Sequence, residues 1–77
     1  ITDLIKIYPN PTSEYITVNG LNKQNCHINI YNVAGKKVLY TKNFSKEIDV
    51  EHLSKGYYSL EIIGEDFSPV VKKLIIK

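Results

Sequence analysis

The sequence predicts an all-β domain, a sandwich of seven short strands. Ile, Val and Tyr are frequent, and alanine occurs once, at Ala34. Short runs alternate between apolar and polar residues, and no long stretch repeats its apolar residues every 3.6 positions. Turn signals separate these runs at intervals of about 8–12 residues, which is typical of a sandwich.

The first two strands flank a proline-rich segment. Ile5 and Ile7 alternate with polar neighbours and predict the first strand. Pro9-Asn10-Pro11 then ends it, because two prolines fix φ and remove two backbone donors. The rigidity of this segment favours a corner at which the chain crosses between sheets. Ile16 and Val18 predict the second strand.

A hairpin follows in the middle of the chain. Cys26, Ile28 and Ile30 face the core in the third strand, while His27, Asn29 and Tyr31 face away. Residues 32–35 predict a tight turn in which Gly35 takes a left-handed conformation. The fourth strand returns over residues 38–41.

The last three strands follow the same rules. Ile48 and Val50 predict a short fifth strand, and Leu53 in the next turn is expected to plug the end of the core. Gly56 opens the sixth strand with a positive φ. The inward residues of that strand are Tyr58, Leu60 and Ile62, and the outward ones are Tyr57, Ser59 and Glu61. The seventh strand, rich in β-branched residues, begins at Val70 and runs to the end of the sequence.

Length and composition exclude several classes of function. A chain of 77 residues makes one domain whose core supplies about 3–5 kcal/mol. A single cysteine, Cys26, allows no internal disulfide and reads as a small buried residue. The net charge is only +2 and all ten basic residues are lysines. Because base and phosphate recognition depends heavily on arginine, nucleic-acid binding is disfavoured.

No pattern of catalytic or metal-binding residues is present in the sequence. His27 and His52 have no metal-ligand spacing to the cysteine. Paired carboxylates and a nucleophile elbow are absent, so we expect no enzyme activity, no cofactor and no small-molecule substrate. No apolar run reaches the length of a membrane span. The chain begins at Ile1, directly in structured sequence, which suggests a piece cut from a longer protein.

Four motifs occur in an order that resembles a known family. These are Tyr8-Pro9-Asn10-Pro11, the hairpin sequence 28–38, residues 53–62, and Lys72-Lys73-Leu74-Ile75-Ile76-Lys77. Together they resemble the type A C-terminal sorting domain of the type IX (Por) secretion system. The resemblance covers essentially the whole chain.

The resemblance implies a fold, a function and a set of partners. The fold would be a seven-stranded, immunoglobulin-like antiparallel β-sandwich, with residues 1–77 excised from the end of a larger secreted protein. The domain would direct its N-terminal cargo across the outer membrane, from the periplasm to the cell surface or medium. Its partners would be the type IX translocon and a sortase-like peptidase that usually removes it before the cargo is attached to the surface.

The resemblance also implies residues that the secretion machinery recognises. They are Pro9, Asn10, Pro11, Gly35, Gly56, Tyr58, Lys72, Lys73 and Lys77. If the last strand lies at a sheet edge, a translocon component could add a strand beside it, with the lysines setting the register. Lysines on an edge strand also have a simpler role, which is to discourage aggregation between edges.

Two other functions remain open at this point. The domain could be a carbohydrate-binding or fibronectin-like accessory module of a secreted enzyme, with Tyr31, Tyr40 and Tyr57 stacking on sugars. It could also be a purely structural linker. Tyrosines in a small sandwich are more often half-buried structural residues than ligand contacts.

Overall fold

Within the described residues, seven antiparallel strands form a two-layered sandwich, which confirms the predicted fold class. The structure is a computed structural model that describes residues 5–19, 26–42, 47–65 and 68–77. The strands are β1 (Lys6–Tyr8), β2 (Tyr15–Asn19), β3 (Cys26–Tyr31), β4 (Lys37–Lys42), β5 (Glu47–Asp49), β6 (Gly56–Gly64) and β7 (Val70–Ile76).

The strands divide into sheets of three and four. The smaller sheet has the order β1-β2-β5 and the larger one the order β4-β3-β6-β7. All of these strand pairs are antiparallel. In the constant-type immunoglobulin arrangement the fourth strand joins the first sheet. Here β4 pairs with β3 instead, so it forms one edge of the larger sheet and β7 forms the other.

The core lies between the two sheets and consists of the inward residues of the alternating strands. The predicted inward residues Ile16, Val18, Ile28, Ile30, Leu60 and Ile62 are completely buried. Tyr58 and Leu53 are half-buried and pack against this core. Full burial of a large apolar side chain stabilises a fold by about 1.5–3 kcal/mol. The other buried apolar residues are Ile5, Cys26, Ile48, Val50, Val70, Leu74 and Ile76.

Two residues on the outer faces are buried although the alternation places them away from the core. Thr17 and Asn29 are 7% and 5% exposed. Each lies on a strand with a neighbour on both sides: Asn29 has Tyr40 opposite it on β4 and Glu61 opposite it on β6. Neighbouring side chains therefore cover these positions, so Asn29 faces away from the apolar core, as predicted, and is nevertheless buried.

The proline-rich segment does not carry the chain between sheets, so that prediction was wrong. β1 and β2 pair in the same sheet. The loop between them instead reaches the edge of β7 in the other sheet, where a parallel bridge joins Thr12 to Ile76. The peptide bonds before Pro9 and Pro11 are both cis. Within the described residues, no helix is long and apolar enough to cross a membrane.

Candidate functional site

The loop at residues 9–12 covers the outer edge of β7. The Asn10 side-chain amide donates to the Lys73 carbonyl at 2.8 Å and accepts from the Ile75 amide at 3.0 Å. The backbone of Thr12 continues the pairing, because its amide donates to the Ile75 carbonyl at 3.0 Å and its carbonyl accepts from the Lys77 amide at 2.9 Å. Two motifs more than 60 residues apart thus form one hydrogen-bonded unit.

This contact changes the expectation that a partner adds a strand beside the last strand. β7 does lie at a sheet edge, as that expectation requires. The outward backbone groups from the Lys73 carbonyl to the Lys77 amide are, however, already bonded to Asn10 and Thr12. An added strand would have to displace the loop over this part of β7, because these four outward backbone groups are already hydrogen-bonded.

The turn between β3 and β4 is held by Asn32. Its side-chain oxygen accepts from the amides of Ala34 and Lys36, at 2.9 and 3.0 Å. The Gly35 amide donates to the Asn32 carbonyl, also at 2.9 Å. Gly35 has a φ of 83°, the left-handed conformation that glycine adopts without steric cost. The predicted turn and the predicted left-handed conformation of Gly35 are confirmed.

The start of β6 contains a tyrosine corner. Tyr58 lies near the beginning of this strand, and its hydroxyl donates to the Ser54 carbonyl at 2.6 Å. In sandwich folds such a bond ties the crossover between the sheets to the strand that follows. Gly56 opens the strand with a φ of 150°, which an L side chain rarely adopts. Both predicted residues therefore shape the backbone at this end.

Removing the Tyr58 hydroxyl should destabilise the domain by about 1 kcal/mol, the usual net value of one hydrogen bond. We expect Tyr58→Phe to lower the melting temperature, because the Ser54 carbonyl loses its partner. Tyr57→Phe is the matched control, since Tyr57 is 63% exposed and its hydroxyl makes no hydrogen bond to the described residues. Thermal unfolding followed by circular dichroism measures both. Equal melting temperatures for the two variants would contradict a tyrosine corner.

The turn between β3 and β4, the start of β6 and the strand β7 meet around a shallow cavity of about 150 Å³. The turn contributes Val33, which is 85% exposed, and β7 contributes Lys73. The Lys73 ammonium lies 6.0 Å from the centroid of the Tyr57 ring, within the range of a cation–π contact. We call this feature the Tyr57 cavity; it is lined by Asn32, Val33, Tyr57, Tyr58, Ser59 and Lys73.

The three predicted lysines of the last strand do not form one patch. Lys73 lies on the outer face of the larger sheet, opposite Ser59. Lys72 lies two residues from the buried Val70 and Leu74, so its side chain points to the same inner side of β7, where it is half-buried. Lys77 follows the strand next to Thr12. Only Lys73 therefore reaches the Tyr57 cavity.

The outer face of the larger sheet carries a polar cluster centred on Glu61. One carboxylate oxygen accepts from the Asn29 amide and the Tyr31 hydroxyl, each at 3.1 Å. Desolvation of the ring, followed by this bond and the negative charge of Glu61, raises the pKa of Tyr31 above its ordinary value. Within the described part of the chain, the buried Asn29 side-chain oxygen has no hydrogen-bond partner.

The three tyrosines proposed to stack on sugars do share this face. Tyr31 is tied to Glu61, and Tyr40 contacts the His27 ring at 5.4 Å between centroids. The Lys37 ammonium lies 5.7 Å from the centroid of Tyr40. With Lys73 beside Tyr57, the face is cationic as well as aromatic.

The largest concentration of acidic residues lies elsewhere, beside β2 and β5. A cavity of about 410 Å³ is lined there by Glu14, Tyr15, Glu47, Asp49 and Glu51. The described residues contain no group of three or more His, Cys, Asp or Glu side chains placed to hold a metal ion. None of the predicted recognition residues lines this cavity.

Several residues of the Tyr57 cavity were not predicted from the sequence. Val33 and Asn32 were assigned only to a turn, and Ser59 only to an outward strand position. An apolar residue at the tip of a polar turn was the available signal for Val33, because it has no core to enter. No sequence signal indicated that Asn10 would reach β7.

Comparison with known proteins identifies related sequences and folds. A family model described as "Secretion system C-terminal sorting domain" matches residues 6–77. No curated protein matches the chain. A solved structure of PorZ, described as an essential bacterial surface component of the type-IX secretion system of Porphyromonas gingivalis, is similar with a TM-score of 0.75 and 17% identity. The match covers 97% of this chain and 12% of the PorZ chain, so this chain spans a small part of that protein's length.

Proposed function

Because the chain belongs to the family of secretion system C-terminal sorting domains, we propose that the type IX machinery recognises it at the Tyr57 cavity and the adjoining loop 9–12. A sorting signal of this family marks the protein that carries it for export to the cell surface or medium. The family is in general not enzymatic. The machinery would bind the surface that the Tyr57 cavity and loop 9–12 form.

Segments that are far apart in the sequence converge at one end of the larger sheet, and this convergence supports the proposal. Asn10 binds the backbone of β7 at Lys73, and Lys73 lines the same cavity as Val33 and Tyr58. Gly35 and Gly56 set the backbone of the two adjoining turns. A folded surface assembled from distant segments is a signal that an unfolded tail cannot imitate, so it would report that the domain has folded.

The predicted recognition residues have two different roles, direct contact with the machinery and support of the surface. Lys73 is exposed and acts by direct contact, as does Lys77 at the neighbouring edge. Gly35, Gly56 and Tyr58 act by holding the surface in shape. The remaining members are Pro9, Asn10 and Pro11, which position the loop, and Lys72, which lies on the other side of β7.

The later steps of sorting are also part of the proposal. We infer that the cargo passes through the periplasm, that a sortase-like peptidase then removes the domain, and that the cargo is attached to the surface. Family membership supports this order. A mass decrease of the surface-attached reporter, equal to that of the domain, is the expected sign of removal.

The test is surface delivery of a fluorescent reporter fused ahead of residues 1–77, in a host with type IX machinery. Lys73→Glu should reduce delivery strongly, because it reverses the charge at the cavity without touching the core. Lys6→Glu is the matched control, since Lys6 is exposed on β1 of the other sheet. Both variants should keep the melting temperature of the original domain.

Two results would overturn separate parts of the proposal. Normal delivery of Lys73→Glu would show that the machinery reads another surface. Normal delivery of a reporter that lacks the domain altogether would show that these residues are not the sorting signal.

A further inference from the structure

Among the described strands, β4 has the longest open edge. The larger sheet ends at β4 on one side and at β7 on the other, and residues 10 and 12 cover β7. Among the described residues, none pairs with the outer edge of β4. In an antiparallel edge strand, alternate residues direct their amides and carbonyls outward. The edge strands of the smaller sheet, β1 and β5, have only three residues each.

Most of β4 is regular enough to pair with another strand. A bulge lies between Ile30 and Tyr31, where the register with β4 shifts and leaves Val38 without a partner. From Leu39 to Lys42 the pairing with β3 is continuous. Bulges protect edges by bending them, but this one affects only the beginning of the strand.

The smaller sheet covers the inner face of β4 only in part. Leu39 and Thr41 lie opposite Ile30 and Ile28 on β3. The two β3 residues are completely buried, whereas Leu39 and Thr41 are only half-buried. A further strand beside β4 would therefore extend the sheet and cover apolar surface that the smaller sheet leaves open.

The charge of this edge determines which strand can be added. Residues 32–42 contain three lysines and no acidic residue. Two copies of the chain that paired through β4 would bring the lysines at the ends of both strands close together with no acidic residue between them, and like charges near each other across strands are unfavourable. A segment with carboxylates at both ends would place opposite charges there.

We propose that the outer edge of β4 binds an extended segment of a partner protein, one with acidic residues flanking a β-branched centre, by strand addition. Backbone hydrogen bonds supply the affinity, and Lys37 and Lys42 supply the preference for acidic ends. The proposal goes beyond sorting, and a binding measurement tests it whether or not the domain is exported. Its outcome is therefore independent of the reporter assay.

The test is a titration of the isotope-labelled 77-residue chain, followed by amide NMR, with two capped peptides. One peptide is Glu-Val-Thr-Val-Thr-Glu and the other is Lys-Val-Thr-Val-Thr-Lys. We expect the glutamate peptide to shift the amide signals of residues 37–42, to slow hydrogen exchange of the outward β4 amides, and to bind at least about ten-fold tighter than the lysine peptide.

A charge-swapped variant separates recognition from a folding defect. Lys37→Glu combined with Lys42→Glu should reverse the preference, so that the lysine peptide binds more tightly. If this variant does not fold, the two peptides on the original chain decide the question by themselves. Shifts confined to other edges, equal affinities or no shifts would overturn the proposal. Concentration-dependent shifts of β4 without peptide would assign the edge to a second copy and would also overturn it.

Discussion

Replacing Leu74 by alanine should remove most of the free energy of unfolding of the domain at 25 °C. Leu74 is completely buried at the centre of β7. Truncation of a buried leucine to alanine costs about 2–5 kcal/mol, because apolar contacts are lost and a cavity remains. A domain of this size has a core that supplies only about 3–5 kcal/mol. One substitution therefore removes most or all of its stability.

Denaturant unfolding followed by circular dichroism measures this effect. Val71→Ala is the matched control, since Val71 lies on the same strand and is 62% exposed. We expect the control to lose less than about 1 kcal/mol. If both variants unfolded at the same denaturant concentration, β7 would not be packed in the core.

This prediction also limits what truncation of the chain can reveal. Removing residues 74–77 deletes Leu74 and Ile76, both of which are buried. A shortened domain would fail in sorting through unfolding as readily as through lost recognition. Exposed single substitutions such as Lys73→Glu separate the two causes, because they leave the core unchanged.

Asn10→Ala should have the second largest effect, a loss of about 1–2 kcal/mol. The variant removes the two hydrogen bonds between the Asn10 side chain and β7. A hydrogen bond contributes about 0.5–1.5 kcal/mol net, and water can partly replace both at this exposed position. The edge of β7 then opens between Lys73 and Ile75.

Hydrogen exchange of the Ile75 amide is the sharpest measurement of this change. We expect faster exchange at Ile75 in Asn10→Ala, together with a lower melting temperature. Asn19→Ala is the control, because Asn19 is exposed on β2 and its side chain makes no hydrogen bond to any residue that the structure describes. Unchanged exchange at Ile75 would mean that the loop does not cover the edge in solution.

The alternation of side chains explains why most of the fold was predictable. Strands with one buried face show a period of two, so Ile28 and Ile30 or Leu60 and Ile62 could be assigned to the core directly. Alternation did not predict the burial of outward residues on central strands, nor the path of the proline-rich segment. Asn29 is polar and has outward parity, but its neighbours across both pairs cover it. Periodicity within one strand contains no information about the width of the sheet around it.

Individual residues of the candidate site could be predicted from the sequence, but their arrangement in space could not. Local turn chemistry predicts the left-handed conformation of Gly35. The alternation of side chains along β6 predicts that Tyr58 points inward. The tyrosine-corner bond and the separation of Lys72 from Lys73 needed the orientation of β6 and β7. The family resemblance named Lys72, Lys73 and Lys77 as recognition residues, and the structure places Lys72 toward the inner side of β7 and Lys73 on its outer face.

By itself, the sequence determined that this protein is a sandwich of seven short strands with an apolar inner layer, because side-chain alternation and turn chemistry are local properties. It also carried the motifs of a sorting domain, which the match over residues 6–77 confirmed. Only the tertiary structure decided which edge is closed, since Asn10 and β7 are far apart in the chain and meet through packing. Contacts between distant segments depend on how the two sheets stack, and no local pattern records that arrangement.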